Sequence, residues 1–123
     1  MHGLFVNINN YKLNKLEDQA FLERLGKFDI LCLQEIQCGP KDTQSLSVQG
    51  YRLVPYHRKQ SDNSRFFGGT LIMIKSGIRK GVKVMEHRNG DSIWLKLKKH
   101  FFGLEKDLYF NTTYAPPPSL LLL

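Results

Sequence analysis

Cysteine is scarce in these 123 residues: Cys32 and Cys38 are the two present. With no paired Cys–His spacing they form neither a disulfide framework nor a zinc site, which makes a reducing compartment the default. No apolar run approaches the ~18 residues that a membrane span needs. The start, Met1-His2-Gly3-Leu4-Phe5-Val6, lacks the basic and apolar blocks of a signal peptide. These absences predict an intracellular protein without a transmembrane segment, and leave nucleus and cytoplasm equally open. No internal repeat is present, and the only biased segments are the prolines at 116–118 and the leucines at 120–123. Acidic residues are also few, 11 against 18 Lys and Arg, for a formal charge of +7. An anionic partner suits that balance, with nucleic acid the first candidate, although charge governs association and not fold.

What is present is organised around Phe28-Asp29-Ile30-Leu31-Cys32-Leu33-Gln34-Glu35. Four consecutive apolar residues without polar alternation read as a strand covered on both faces, with Cys32 in the core. The run ends abruptly in an amide and a carboxylate, and in an open α/β sheet the C-terminal ends of strands are where ligand and metal sites are built. Leu4 to Asn9 reads as an earlier short strand whose end is crowded by Asn7, Asn9 and Asn10. Between the two, Asn14 and Glu17 have capping-box spacing, Leu16, Ala20, Phe21, Leu22 and Leu25 form a helical stripe, and Gly26 supplies a stop. A helix over Lys15 to Leu25 between two apolar strands predicts a parallel crossover. That places Asn7, Asn9 and Glu35 along one sheet edge.

After Glu35 the pattern changes to a meander. Gln37 to Leu46, with Gly39-Pro40, reads as a loop; Tyr51 to Tyr56 reads as a strand that Pro55 confines to an edge or bulge. His57 to Phe67 is a basic loop, Gly69 to Ile74 a buried strand and Val82 to Met85 a short one. Arg88-Asn89-Gly90-Asp91 has hairpin chemistry. Next, Ile93, Leu95 and Leu97 alternate with outward Lys96 and Lys98; Trp94 on that face is expected to pack on a neighbouring element. Leu108 to Tyr114 is the last strand, stopped by Pro116 to Pro118. One helix against about seven strands predicts an α/β chain with one mixed, mostly antiparallel sheet and a covering helix. The other sheet face would lack a partner layer, exposing side chains of FDILCL and GTLIMI and favouring aggregation.

The chemistry-bearing candidates are Asn7, Asn9, Glu35 and Tyr114, all at strand exits. One carboxylate among polar neighbours suits Mg²⁺, which takes one or two carboxylates plus water and substrate phosphate. VNIN at Val6 to Asn9, FDILCLQE at Phe28 to Glu35, the pair Gly68-Gly69 and TYAPP at Thr113 to Pro117 together resemble the endonuclease/exonuclease/phosphatase superfamily. Within it, the stretch from Gly90 to Phe110 looks most like the endonuclease domain of LINE-type (non-LTR) retrotransposons. The resemblance runs from Leu4 to Pro117 and corresponds to the first half of the family domain. It implies half of a four-layer α/β sandwich, with residues 1–118 a partial domain and 119–123 an apolar tail. It further implies Glu35 as the Mg²⁺ ligand, Asn7 helping to hold the metal or its water, Asn9 beside it, and Tyr114 bonded to the scissile phosphate. His57, Arg58, Lys59 and Arg65 share one loop suited to tracking a DNA backbone.

The departures from the family pattern are specific. Pro117 stands where some relatives have asparagine, and the GDxN and terminal SDH motifs of the second half are absent. Gly90-Asp91-Ser92 imitates GDxN but lies in the earlier hairpin. Positioned acid–base groups contribute roughly 10²–10⁴ in rate, so the chain alone is expected to be inactive or nearly so. A non-catalytic remnant with weak nucleic-acid binding, and a phosphomonoesterase relative acting on a small phosphorylated substrate, are the alternatives.

Overall fold

In the computed structural model of the chain, residues 5–8, 19–34, 36, 40–57, 69–87 and 92–113 are described. Ile30–Gln34 form β2, buried at every position, as the uninterrupted apolar run requires. Phe5–Ile8 form β1, which pairs with β2 in parallel, Phe5 opposite Ile30 and Asn7 opposite Cys32. Between them lies helix α1, Gln19–Leu25, closed where the Gly26 N–H donates to the Leu22 carbonyl at 2.9 Å. Parallel pairing across an intervening helix is the expected crossover. The capping pair Asn14 and Glu17 lies outside the described residues, as does the hairpin turn at 88–91.

Thr70–Lys75 form β4, antiparallel to β2 with Leu31 opposite Met73; Tyr51–Tyr56 form β3, antiparallel to β4 with Leu53 opposite Met73. The sheet order is β1-β2-β4-β3. β3 is therefore an edge strand, which is where Pro55, unable to donate a ladder bond, is tolerated. The segment 37–46, expected to be a loop, contains a short helix α2, Pro40–Gln44. Proline at a first helical position costs nothing, because that N–H has no intrahelical partner.

The strands do not share one sheet. A 3₁₀ segment, Ser76–Gly81, leads from β4 into β5, Val82–His87, and the chain then builds a separate antiparallel meander with β6, Ser92–Leu97, and β7, Leu108–Thr113. Between β6 and β7 lies α3, Lys99–Phe102, ended by Gly103 in the left-handed conformation at φ 68°. The α/β class and the mixed, mostly antiparallel pairing hold, with the seven strands of the described residues divided four and three.

That division supplies the layer the sequence reading found missing. On one face of the first sheet Leu31, Leu33, Leu71 and Met73 pack with Ile36 and Val48, joined by Leu22 of α1 and by Phe28 and Leu53. On the other, Ile30, Cys32, Ile72 and Ile74 pack against Val82, Ile93, Leu95 and Leu97 of the second sheet. Each fully buried side chain of this size is worth ~1.5–3 kcal/mol of transfer free energy. The FDILCL and GTLIMI side chains are thus interior on both faces, correcting the expectation that one face lies bare. Among the described residues the outer face of the second sheet carries exposed aromatics, Trp94 at 40% and Tyr109 at 54%. Trp94, expected to be packed, stands on that outer face opposite Met85 and Asn111.

Candidate active site

The sheet register collects one set of strand ends along one edge of the sandwich. Gln34, last in β2, pairs with Thr70, first in β4, which pairs on its other side with Tyr56, last in β3. In the second sheet His87, Ser92 and Thr113 form the corresponding row. β2 and β3 are both antiparallel to β4, so both leave the sheet at this edge.

The two rows are joined by one buried bond. The Gln34 side-chain amide donates to the Thr112 hydroxyl at 3.0 Å, the two residues being 2% exposed each. Polar groups in such a position cost free energy unless paired, and these pair with one another. Cys32, two residues earlier and fully buried, reaches the same hydroxyl: burial pushes its thiol up to about 12, and the Thr112 hydrogen bond works the other way. On the outward side of β7 the Asn111 amide donates to the Ser92 hydroxyl at 2.9 Å and the Ile93 carbonyl at 3.4 Å, while the Thr113 hydroxyl donates to the Asn111 side-chain oxygen. Polar contacts thus run along the ends of β6 and β7 and across to β2.

Gly69 completes the edge. Its φ is +85°, and a Cβ there would stand 3.2 Å from both the Ile36 side chain and the Tyr56 carbonyl. Its own carbonyl accepts from the Ile36 N–H at 3.5 Å. The chain on both sides of position 35 is therefore anchored, Gln34 through its amide and Ile36 through its backbone.

Of the candidate site residues, Asn7 lies in β1 at the register position opposite Cys32. His57 follows β3; its Nε2 is hydrogen-bonded to the Thr43 hydroxyl of α2 at 3.0 Å, so the ring is tied to the helix that follows β2. Glu35, Asn9, Tyr114, Arg58, Lys59 and Arg65 lie outside the described residues, as does Cys38. Among the described residues no three His, Cys, Asp or Glu side chains converge. Sequence reasoning missed Thr112, Asn111 and Ser92. The available signal was Thr112 itself, a polar residue two positions from Phe110 on the inward side of a strand.

The opposite end of β2 has a different character. Asp29 lies 3.6 Å from the Lys75 ammonium, and the Tyr51 hydroxyl donates to the Phe28 carbonyl at 3.1 Å. Burial, and then the Asp29 charge, push the Tyr51 hydroxyl above its ordinary range. These contacts fasten β3 and β4 to the start of β2.

No family model and no curated protein matches the sequence. Among solved structures the chain is similar to the AP endonuclease LMAP from Leishmania major, with a TM-score of 0.66 at 20% identity. The likeness covers 96% of this chain and 43% of that one, so the chain spans less than half of its structural neighbour. At that identity the likeness shows the fold alone, a partial α/β fold like that of part of the endonuclease.

Proposed function

We propose that the chain is the N-terminal half of a metal-dependent phosphodiesterase domain of the endonuclease/exonuclease/phosphatase superfamily, and that the completed domain cleaves DNA. The observation that carries this reading is the Gln34–Thr112 bond. It ties together the exits of β2 and β7, which supports a shared edge for Glu35, the next residue after Gln34, and Tyr114, two residues after Thr112. The anchoring of Gln34 and Ile36 supports a preorganised position between them.

In this reading Glu35 and Asn7 hold Mg²⁺. One carboxylate and one amide oxygen are hard donors, and a metal that keeps several waters needs no dedicated cage. When bound, Mg²⁺ neutralises charge developing on a phosphodiester oxygen. Asn9 would assist at the metal, the Tyr114 hydroxyl would donate to a phosphate oxygen, and His57, Arg58, Lys59 and Arg65 would hold the DNA backbone. The residues from Gly90 to Phe110 favour a LINE-type endonuclease over a phosphomonoesterase, with a 3′-hydroxyl left at the cut.

The absence of GDxN and SDH, together with the 43% coverage of the AP endonuclease, supports an incomplete catalytic set. Supercoiled plasmid incubated with Mg²⁺ and the purified chain is therefore expected to show no nicking above a Glu35→Ala control. Glu35-dependent nicking would overturn the incompleteness, and loss of Mg²⁺ binding in Glu35→Ala, read by calorimetry, checks the metal assignment separately from activity.

A further inference from the structure

A groove of about 530 Å³ runs between the outer strands of the two sheets, β3 and β5. Arg52 of β3, Arg79 and Lys80 of the 3₁₀ segment, Lys83 of β5 and Lys98 after β6 line it, with no carboxylate lining it among the described residues. All five are exposed, and among the described residues none forms an ion pair. The wall between them is apolar: Val54, Val82 and Val84, with the half-buried Tyr56 ring. Gathering five like charges works against folding unless a counter-charge is present.

The basic surface extends further. Lys98 also lines a second groove with Lys96, Lys99 and His100. The carboxylate there, Asp107, is occupied, accepting from the Lys99 N–H at 2.8 Å and lying 3.6 Å from the Lys96 ammonium. The two grooves share Lys98 and so make one cationic track, longer than a single phosphate would fill. At its other end is Tyr56, in the exit-edge row with Gln34 and Thr70.

We propose that this track binds a single strand of nucleic acid through its phosphates, along the flank of the sandwich and leading toward the exit edge. Cations spaced along a groove with an aromatic in its apolar wall are the elements of single-strand binding, and the groove lies between two sheet edges, not on an open face. The choice of nucleic acid over other polyanions rests on the phosphodiesterase reading; the charge pattern does not.

Fluorescence anisotropy of a labelled 20-nucleotide oligomer in EDTA tests the proposal without any cleavage. Each lost phosphate contact removes ~0.7 from the slope of log K against log salt. Arg79→Ala/Lys80→Ala/Lys83→Ala is therefore expected to flatten the slope by about 2 and weaken binding roughly a hundredfold near 0.1 M salt. The charge-matched control Arg24→Ala/Lys27→Ala/Lys41→Ala, on exposed helix-side positions, is expected to retain most of the affinity. Lys80→Gln/Lys83→Gln, checked for an unchanged far-UV spectrum, reads the same effect at smaller size. An unchanged slope in the groove variants, an equal loss in the control, a duplex bound as tightly as the strand, or phosphatidylserine vesicles displacing it at equal charge would each overturn the assignment. Absence of nicking leaves this result standing, because binding is read without metal.

Discussion

Cys32 and Thr112 are buried and hydrogen-bonded to one another, and each carries a consequence at the level of single atoms. A thiol pushed up to about 12 holds almost no thiolate near neutrality. In a Cys38→Ser background the native chain is expected to be inert to Ellman's reagent at pH 8 and to release one equivalent of colour in guanidinium. Fast reaction in the native state would mean that β2 opens. For Gln34 and Thr112, truncating either partner strands a buried polar group, at ~1–3 kcal/mol each. Gln34→Ala and Thr112→Val should each lower the urea midpoint, and the double variant should lose clearly less than the sum. Strict additivity would show that the bond carries no coupling. Gln34, the polar residue at the end of β2, could be read from the sequence because an apolar run ends there. Its partner could not, because Thr112 is 78 residues from Gln34 along the chain.

At the level of elements, runs and alternations were legible and partners were not. β2 and β4 declared themselves as uninterrupted apolar runs, and Ile93, Leu95 and Leu97 alternate and are buried as that alternation requires. What the pattern does not encode is which strands hydrogen-bond. Six residues of 3₁₀ backbone, SGIRKG, carry the chain out of one sheet and into the next. Of the Gly68-Gly69 pair, Gly69 has a physical reason in its left-handed backbone, wedged against Ile36 and the Tyr56 carbonyl. Gly69→Ala is expected to cost about 1–3 kcal/mol, since the new residue is strained by conformation and by contact at once. An unchanged melting temperature would argue against that close approach. Asp107 shows a pH effect of the same local kind. The Lys99 N–H, and then the Lys96 and Lys99 charges, hold its carboxyl below the ordinary range, although desolvation opposes them. A depressed folded value contributes stability that is present above the unfolded range and lost as pH falls through the folded one. Asp107→Asn is thus expected to flatten the acid limb of melting temperature against pH and to leave its shape above neutrality unchanged.

For the whole molecule, the decisive feature is that one apolar layer belongs to both sheets. Ile72 and Ile74 of the first sheet lie in the same cluster as Ile93 and Leu95 of the second, so the second sheet has no core without the first, and the first loses the core on one of its two faces without the second. The strands are legible one by one in the sequence but their division between two sheets is not, and a single sheet would have left a bare apolar face prone to aggregation. The observed packing reverses the inference: the chain buries both faces of its central sheet, and the exposed aromatics among the described residues, Trp94, Phe101 and Tyr109, sit outside the shared layer. Cooperative unfolding follows. Trp94 is the single tryptophan and lies in the second sheet, so its fluorescence reports that sheet, while the far-UV spectrum averages over both. In urea the two signals are expected to change together with one midpoint. Leu95→Ala, a cavity in the shared layer costing ~2–5 kcal/mol, should lower both midpoints equally. A fluorescence transition that shifts while the far-UV midpoint stays in place would show that the second sheet unfolds on its own and that the shared layer does not couple the two.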